Sequence, residues 1–408
     1  MPGFTTLYDE SARPANRDFY APGFELRIDG VGLPQGVLRD VVQLTYHDDT
    51  KEIDGFEITV NNWDATARRC KYIGSETAAL LAGTGDASKL VKLFEPCSKT
   101  VEVVLGYVGD LQPMLRATFT TMEPNFPETG PPVLTVRGLN ILHRLRKKKF
   151  SYAWTNQKPS AIARTFNSLR DGSHPRLKRP WTVVTDQQAE GAESPIDYVA
   201  QADQFDVDFL LQFAHSQGYV IEAREEVQEI FFGPSQRARG TVNYRLEWGK
   251  GLMSFKPTLS TANQWKSVTV RGWDRQAQKP ISETVDLDDP QLKKLNSDLH
   301  EIVQQCDPRE QQTVDLPVFT RAEARQRARA LLHDRHVQLV TARGKTIGLP
   351  GLRAGTLVDI QGLGARLSGS YFVTKTTHTL GDSGYVTEFD CRREDLSGKP
   401  RTDAGTAP

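Results

Sequence analysis

The chain has 408 residues, too many for one ordinary hydrophobic core, so two or three domains are expected. Its 51 Lys and Arg balance 51 Asp and Glu, which removes any global reason to expect nucleic acid, an anionic membrane or a polyanionic substrate as partner. There is no long apolar run and no N-terminal basic region followed by an apolar core, and Cys70, Cys97, Cys306 and Cys391 form no C-x-x-C pair. The sequence therefore predicts cytosolic assembly, no membrane partner, reduced thiols, and no zinc or dithiol site.

The first patterned segment spans about 55 to 138. It opens with EITVNNWDATA from Glu57, continues with TVEVVLG (Thr100 to Gly106) and a strand from Leu115 to Thr121, turns at Gly130, and closes with VLTVRG from Val133. These runs are short, alternating and separated by Gly, Pro and Asp, as in a small antiparallel barrel or sandwich. A basic run, HRLRKKK (His143 to Lys149), follows. From about Tyr152 to Phe232 the pattern mixes helix and strand. Ser160 is read as the cap of a helix carrying Ile162, Phe166 and Leu169. Asp206 opens a second helix that Gly218 ends. Val207, Leu210, Leu211 and Ala214 form one stripe of that helix and Phe209 and Phe213 a second, so it needs two surfaces; the Phe edge is a candidate subunit contact, with burial between domains of the chain as the alternative.

The second patterned segment, about 267 to 391, repeats the first in order. SVTVRGWDRQA from Ser267 matches EITVNNWDATA, pairing Trp63 with Trp273 and Asp64 with Asp274. TLVDIQG (Thr356 to Gly362) matches TVEVVLG, pairing Gly106 with Gly362, and strands at Tyr371 to Thr377 and from Tyr385 follow. Between these pieces lies a helical insertion, about 280 to 336, with Pro290 in a first turn and Leu292, Leu295, Leu299 and Ile302 at helical spacing. Thr320 and Glu323 then make a capping box for a helix that buries Ala324, Ala328, Leu331 and Leu332 and lines another face with Arg321, Arg325 and Arg329. The expected fold is mainly β with α+β insertions: a first β-barrel module at 1–145, a mixed α/β middle domain at 146–260, a second barrel module at 261–396, and a flexible tail at 397–408.

No catalytic, cofactor or metal site is expected. Gly362 and Gly364 begin a dinucleotide-loop pattern, but Leu367 stands where its third glycine belongs and a β-branched, aromatic run follows. Gly344-Lys345-Thr346 resembles the end of a phosphate loop whose first glycine is replaced by Leu339. Ser383, in Gly-Asp-Ser-Gly, is read as hairpin-turn chemistry, and His333 and His336 as solvated histidines without further ligands. Gly362, Gly364 and Gly369 are read as corners between curling strands.

The run IGLPGLRAGTLVDIQGLGARLSGSYFVTKTTHTLGDSGYVTEFDCRR resembles the closing barrel of the phage late control protein D family, the central baseplate hub of contractile tails, related to the first part of type VI secretion spike proteins. SVTVRGWD, the SPIDYVAQADQFDVDFLLQFAHSQGYVIE segment and the Arg-rich helix resemble it in order, from about Phe24 to Arg393. The resemblance implies a non-enzymatic structural hub, a homotrimer in which two barrels per chain give a pseudo-sixfold ring joining a sixfold inner tube protein to a separate spike protein, among other baseplate proteins of a virion tail or injection particle. Nucleic acid is not an expected partner. A cell-wall hydrolase acting in penetration and a carbohydrate- or nucleic-acid-binding β module are the competing readings.

Overall fold

A computed structural model of the chain describes residues 4–6, 21–73, 92–224, 227–235, 243–262, 264–274, 277–289, 301–303, 305–306, 309–313, 318–364 and 367–393. Leu292, Leu295, Leu299, Pro290 and the expected tail lie outside the described residues.

The first part comprises β1 (Phe4–Thr6), β2 (Pro22–Ile28), β3 (Val31–Gly32), α1 (Gln35–Asp40), β4 (Val41–Asp49), β5 (Gly55–Asn61), the short ribbon of β6 (Trp63–Asp64) and β7 (Arg69–Cys70), β8 (Thr100–Tyr107), β9 (Asp110–Asn125) and β10 (Val133–Asn140). The strands bury alternate residues: Phe56, Ile58 and Val60 on β5, and Val101, Val103 and Leu105 on β8, meet in one core. Each such side chain contributes about 1.5–3 kcal/mol by leaving water.

The middle part holds β11 (Lys149–Gln157), α2 (Pro159–Thr165), β12 (Arg170–Asp171), β13 (His174–Pro175), β14 (Thr182–Thr185), α3 (Gln187–Ala192), β15 (Ile196–Phe205), α4 (Asp206–Ser216), β16 (Val220–Arg224) and β17 (Glu229–Gly233). Gly218, at φ +71°, follows the end of α4 as expected. Ser160 is not the cap of α2: Pro159 occupies the first turn, and Glu193 accepts from the Ser160 amide and hydroxyl at 2.9 and 2.6 Å. Phe209 and Phe213 are only 4% and 6% exposed, and their rings stack in series with Trp154 and Phe232 at centroid distances of 5.1, 5.5 and 5.8 Å. The second stripe of α4 is thus consumed by the chain's own core, and these two residues are not a subunit contact.

The last part runs β18 (Asn243–Glu247), β19 (Leu252–Leu259), β20 (Trp265–Asp274), β21 (Lys279–Asp286), β22 (Arg309–Thr313), α5 (Arg321–His336), β23 (Val340–Ile347), β24 (Leu357–Gln361), β25 (Gly369–Gly381) and β26 (Gly384–Arg393). Thr320 caps α5, accepting from the Glu323 amide at 3.2 Å, while Glu323 reaches back to the Phe319 amide at 3.1 Å.

Two six-stranded modules emerge from the pairing. In the first the order is β2-β8-β9-β10-β5-β4; in the second it is β18-β24-β25-β26-β23-β19. In chain order both read first, fourth, fifth, sixth, third, second strand. One ladder differs, β2 running antiparallel to β8 and β18 parallel to β24. The end strands of each module do not pair, so each is an open curled sheet rather than a closed barrel among the described residues. The modules join edge to edge, β4 against β25, and among the described residues fourteen strands form one continuous sheet.

This order corrects the repeat read from sequence. β20, which carries SVTVRGWD, pairs with β21 and β22 in a separate sheet under α5; the true counterpart of β5 is β23. The insertion therefore starts just after β19, and β18 and β19 belong to the second module rather than to a middle domain reaching 260. What Trp63-Asp64 and Trp273-Asp274 share is a turn. Each Asp Oδ1 accepts from the amide of Ala67 or Ala277 at 2.9 Å, and Arg68 and Gln278 both sit at φ +52°. Gly106 and Gly362 are likewise not equivalent. The ladders set Thr100 against Thr118 and Leu357 against Phe372, which aligns Val101 with Val358 and Val103 with Ile360, one residue away from the sequence match. A one-residue slip inverts every side chain, and only the structural register keeps these valines and Ile360 buried together.

The equivalence is fixed by shared irregularities. Thr120 and Thr374 are each the extra residue of a bulge, and each hydroxyl donates across it, to the carbonyls of Arg137 (3.3 Å) and Asp390 (3.1 Å). Val42 and Met253 are the bulged residues of β4 and β19.

Candidate functional site at the junction of the modules

The seam between β4 and β25 is where one chain sets its two modules in a fixed relation. Residues 44–49 pair with 375–380, and the loop before β24 drives Arg353 into the seam. Arg353 Nε donates to Asp48 Oδ2 at 2.5 Å, and its other nitrogen donates to the Tyr46 hydroxyl and, at 3.0 Å, to the Met114 carbonyl. Burial opposes the charge on this guanidinium, but Tyr46 and Asp48 outweigh it and raise its pKa. A guanidinium suits the place because its planar fork satisfies several acceptors from one buried point.

Beside it, His378 on β25 is wholly buried. Its Nε2 faces the Leu352 carbonyl at 3.0 Å and therefore carries the proton, leaving Nδ1 to accept from the Tyr385 hydroxyl at 3.0 Å. Burial, with Arg353 adding to it, pushes the His378 pKa down to about 3, so the ring is neutral at ordinary pH. Tyr107 of the first module reaches the Gly348 carbonyl of the second at 2.9 Å, and burial raises its hydroxyl to about 12. The seam is a polar network of positions up to 307 residues apart, in which the buried Thr376 hydroxyl is left without a hydrogen-bond partner among the described residues.

The other sequence candidates are dispersed. Gly344-Lys345-Thr346 lies within β23, with Lys345 paired to Glu388 at 3.1 Å, and Ser383 sits in the turn between β25 and β26. Gly362, Gly364 and Gly369 take φ of +81°, +76° and +141°, the corner role expected of them. His336 is 3% exposed, not solvated. The basic run at 143–149 is largely matched: Arg146 pairs with Asp208, Lys148 with Asp171 and Lys149 with Asp203. Arg325 and Arg329 both reach Asp289. Arg144 instead lines a cleft of 280 Å³ with Arg116, Lys178, Arg179 and Trp181. No cluster of three metal-binding side chains, and no helix long and apolar enough to cross a membrane, occurs among the described residues.

Comparison with solved structures gives the same architecture. The 43 kDa tail protein of prophage MuSo2 from Shewanella oneidensis matches 93% of this chain and 100% of its own at TM-score 0.62 and 13% identity. The tail protein from Neisseria meningitidis MC58 matches 92% and 98% at TM-score 0.62 and 13% identity. An E. coli component of the type VI secretion system, itself structurally similar to bacteriophage tail proteins, matches 92% and 79% at TM-score 0.50 and 10% identity. The chain thus has the fold of phage tail proteins, as the resemblance to baseplate hubs implied. No curated protein matches the sequence. The model of the Alg8 N-terminal domain matches residues 91–382, well over half of the chain, and the protein belongs to the Alg8 N-terminal domain family.

Proposed function

We propose that the protein is a structural hub subunit of a contractile tail or injection machine. Three copies form a pseudo-sixfold ring that joins a sixfold inner tube to a separate threefold spike. One observation carries this reading: a single chain holds the same six-stranded module twice, in the same strand order, joined edge to edge. Three such chains supply six similar units around an axis, the simplest way for a threefold object to meet a sixfold one. The likeness to phage tail proteins and to a type VI component supports the same setting, a particle assembled from several proteins. The role is mechanical: the buried junction gives each chain a rigid double unit, and the chemistry of the seam is spent on holding it. Mass measurement at micromolar concentration should give three 45.6 kDa chains. A chain that stays monomeric even with its tube and spike partners, or one that lyses peptidoglycan through a single carboxylate, contradicts the proposal.

A further inference from the structure

The contact that joins the two modules of one chain has an unfilled counterpart. Within the chain, β4 of module one lies on the stretch of β25 that β24 does not cover. The corresponding strands are β19 in module two and β9 in module one. Among the described residues β23 is the one partner strand of β19, whose first residue, Leu252, also bridges to Trp248, and β10 is the one partner strand of β9 beyond Thr118. A head-to-tail junction uses one edge of each module and leaves the complementary edges at opposite ends of the chain, where a second copy can fill them.

We infer that β19 of one copy pairs antiparallel with the outer half of β9 of the next, from Thr121 opposite Ser260 to Phe126 opposite Phe255, and that this contact, repeated, closes the homotrimer proposed above, on which the inference rests.

The register follows from the bulges. Thr120 corresponds to Thr374 and Met253 to Val42, so the pairing of 375–380 with 49–44 carries over to 121–126 with 260–255. Only strand geometry entered that transfer. It nonetheless sets Met122 against Leu259, Pro124 against Pro257 and Phe126 against Phe255 on one face, three apolar pairs. The opposite face pairs Thr121, Glu123 and Asn125 with Ser260, Thr258 and Lys256, all polar. A slip of one residue would mix the two sets at every rung. Phe126 is 62% exposed in the single chain, an aromatic that the contact covers, while Met122, Phe255 and Leu259 already lean on their own cores.

Both of these edges carry a proline. The Thr50 amide donates to the Thr374 carbonyl at 3.0 Å, which makes Tyr46 and His378 a hydrogen-bonded rung; Pro124 and Pro257 occupy that rung in the inferred contact. Neither has an N–H to offer, so each edge is blunted against indiscriminate strand addition. The contact between copies then depends on matched side chains, where the contact within the chain depends on a buried ion pair.

Cysteine pairing tests this directly. Glu123 and Thr258 correspond to Thr377 and His47, a non-hydrogen-bonded rung whose side chains meet at 3.3 Å. Such pairs have Cα atoms about 4.5 Å apart, within disulfide range. In a background of Cys97→Ser and Cys306→Ser, which removes two exposed thiols, Glu123→Cys with Thr258→Cys should oxidise to reducible two- and three-chain species. The rate should be roughly tenfold that of Glu123→Cys with Lys256→Cys, whose diagonal separation of about 7–8 Å is too long. Phe126→Ser, at an exposed position that folding does not need, should raise the dissociation constant of the ring by about 10- to 100-fold. A wild-type trimer whose first cysteine pair does not link, or links no faster than the slipped pair, or which Phe126→Ser leaves unchanged, overturns this contact and leaves the ring standing. A wild-type monomer overturns both.

Discussion

The two modules are built to one plan and finished differently. Both run six strands in the same order, and both place a bulged threonine, Thr120 or Thr374, on the long fifth strand. Module one gives its second strand, β4, to a seam filled by Arg353, Asp48, Tyr46 and His378; module two leaves the matching strand, β19, with a proline on its open edge. The difference teaches that a duplicated fold can keep its backbone geometry while each copy of an edge is adapted to a separate neighbour. One neighbour is covalently present and can be met with buried charge, which demands fixed geometry. The other, in the contact inferred above, is met after folding.

The largest expected effect comes from removing that buried charge. Arg353→Met should destabilise the chain by about 3–5 kcal/mol, because Asp48 is left buried without its cation. Denaturant unfolding checks this, and the double variant Arg353→Met with Asp48→Asn should recover much of the loss. If the single variant costs under about 1 kcal/mol, comparable to a surface pair, the contrast between the edges collapses.

Acid should act on the same seam. His378 titrates at about 3 in the folded chain against 6.5 when unfolded. The unfolded state therefore binds the proton first, and stability that is full above pH 6.5 is lost as pH falls toward 3. The slope from one such group is at most about 1.4 kcal/mol per pH unit. Urea midpoints measured between pH 7 and pH 4 should fall in the wild type and fall less steeply in His378→Gln.

A third test asks whether the modules share packing as well as order. The register aligns Gly344 of β23 with Ile58 of β5. A Cβ at Gly344 would meet the Phe389 ring at 2.3 Å, so Gly344→Ala should cost about 1–3 kcal/mol although module one carries a larger side chain at the same place. The smallest effects belong to the basic run: Arg146→Ala or Lys148→Ala, each removing one partly exposed ion pair, should change stability by less than about 1 kcal/mol.

Much of the fold was legible in local chemistry. The Thr320 and Glu323 box, the Asp206 helix with Gly218 at its end, and the glycine corners at 362, 364 and 369 each declare themselves through a few adjacent residues. The repeat was visible but misregistered, because strand patterns of period two match almost as well one residue out, and burial had to decide. Trp63-Asp64 and Trp273-Asp274 misled for a related reason: a turn of a few residues reproduces itself wherever its hydrogen bonds are needed. The counterpart of β5 lay hidden beyond the insertion that carries α5. The seam itself was illegible, since Arg353 and Asp48 stand 305 positions apart and nothing in either neighbourhood announces the other.

The central claim, that two like modules per chain serve a ring of six, is tested most directly by electron cryomicroscopy of the assembled protein. The account predicts three chains around one axis and six similar sheet densities, with β19 of each copy lying beside β9 of the next. A closed ring of any other number of chains would contradict it, whereas three chains in contact through surfaces away from these strand edges would overturn the β19 contact alone.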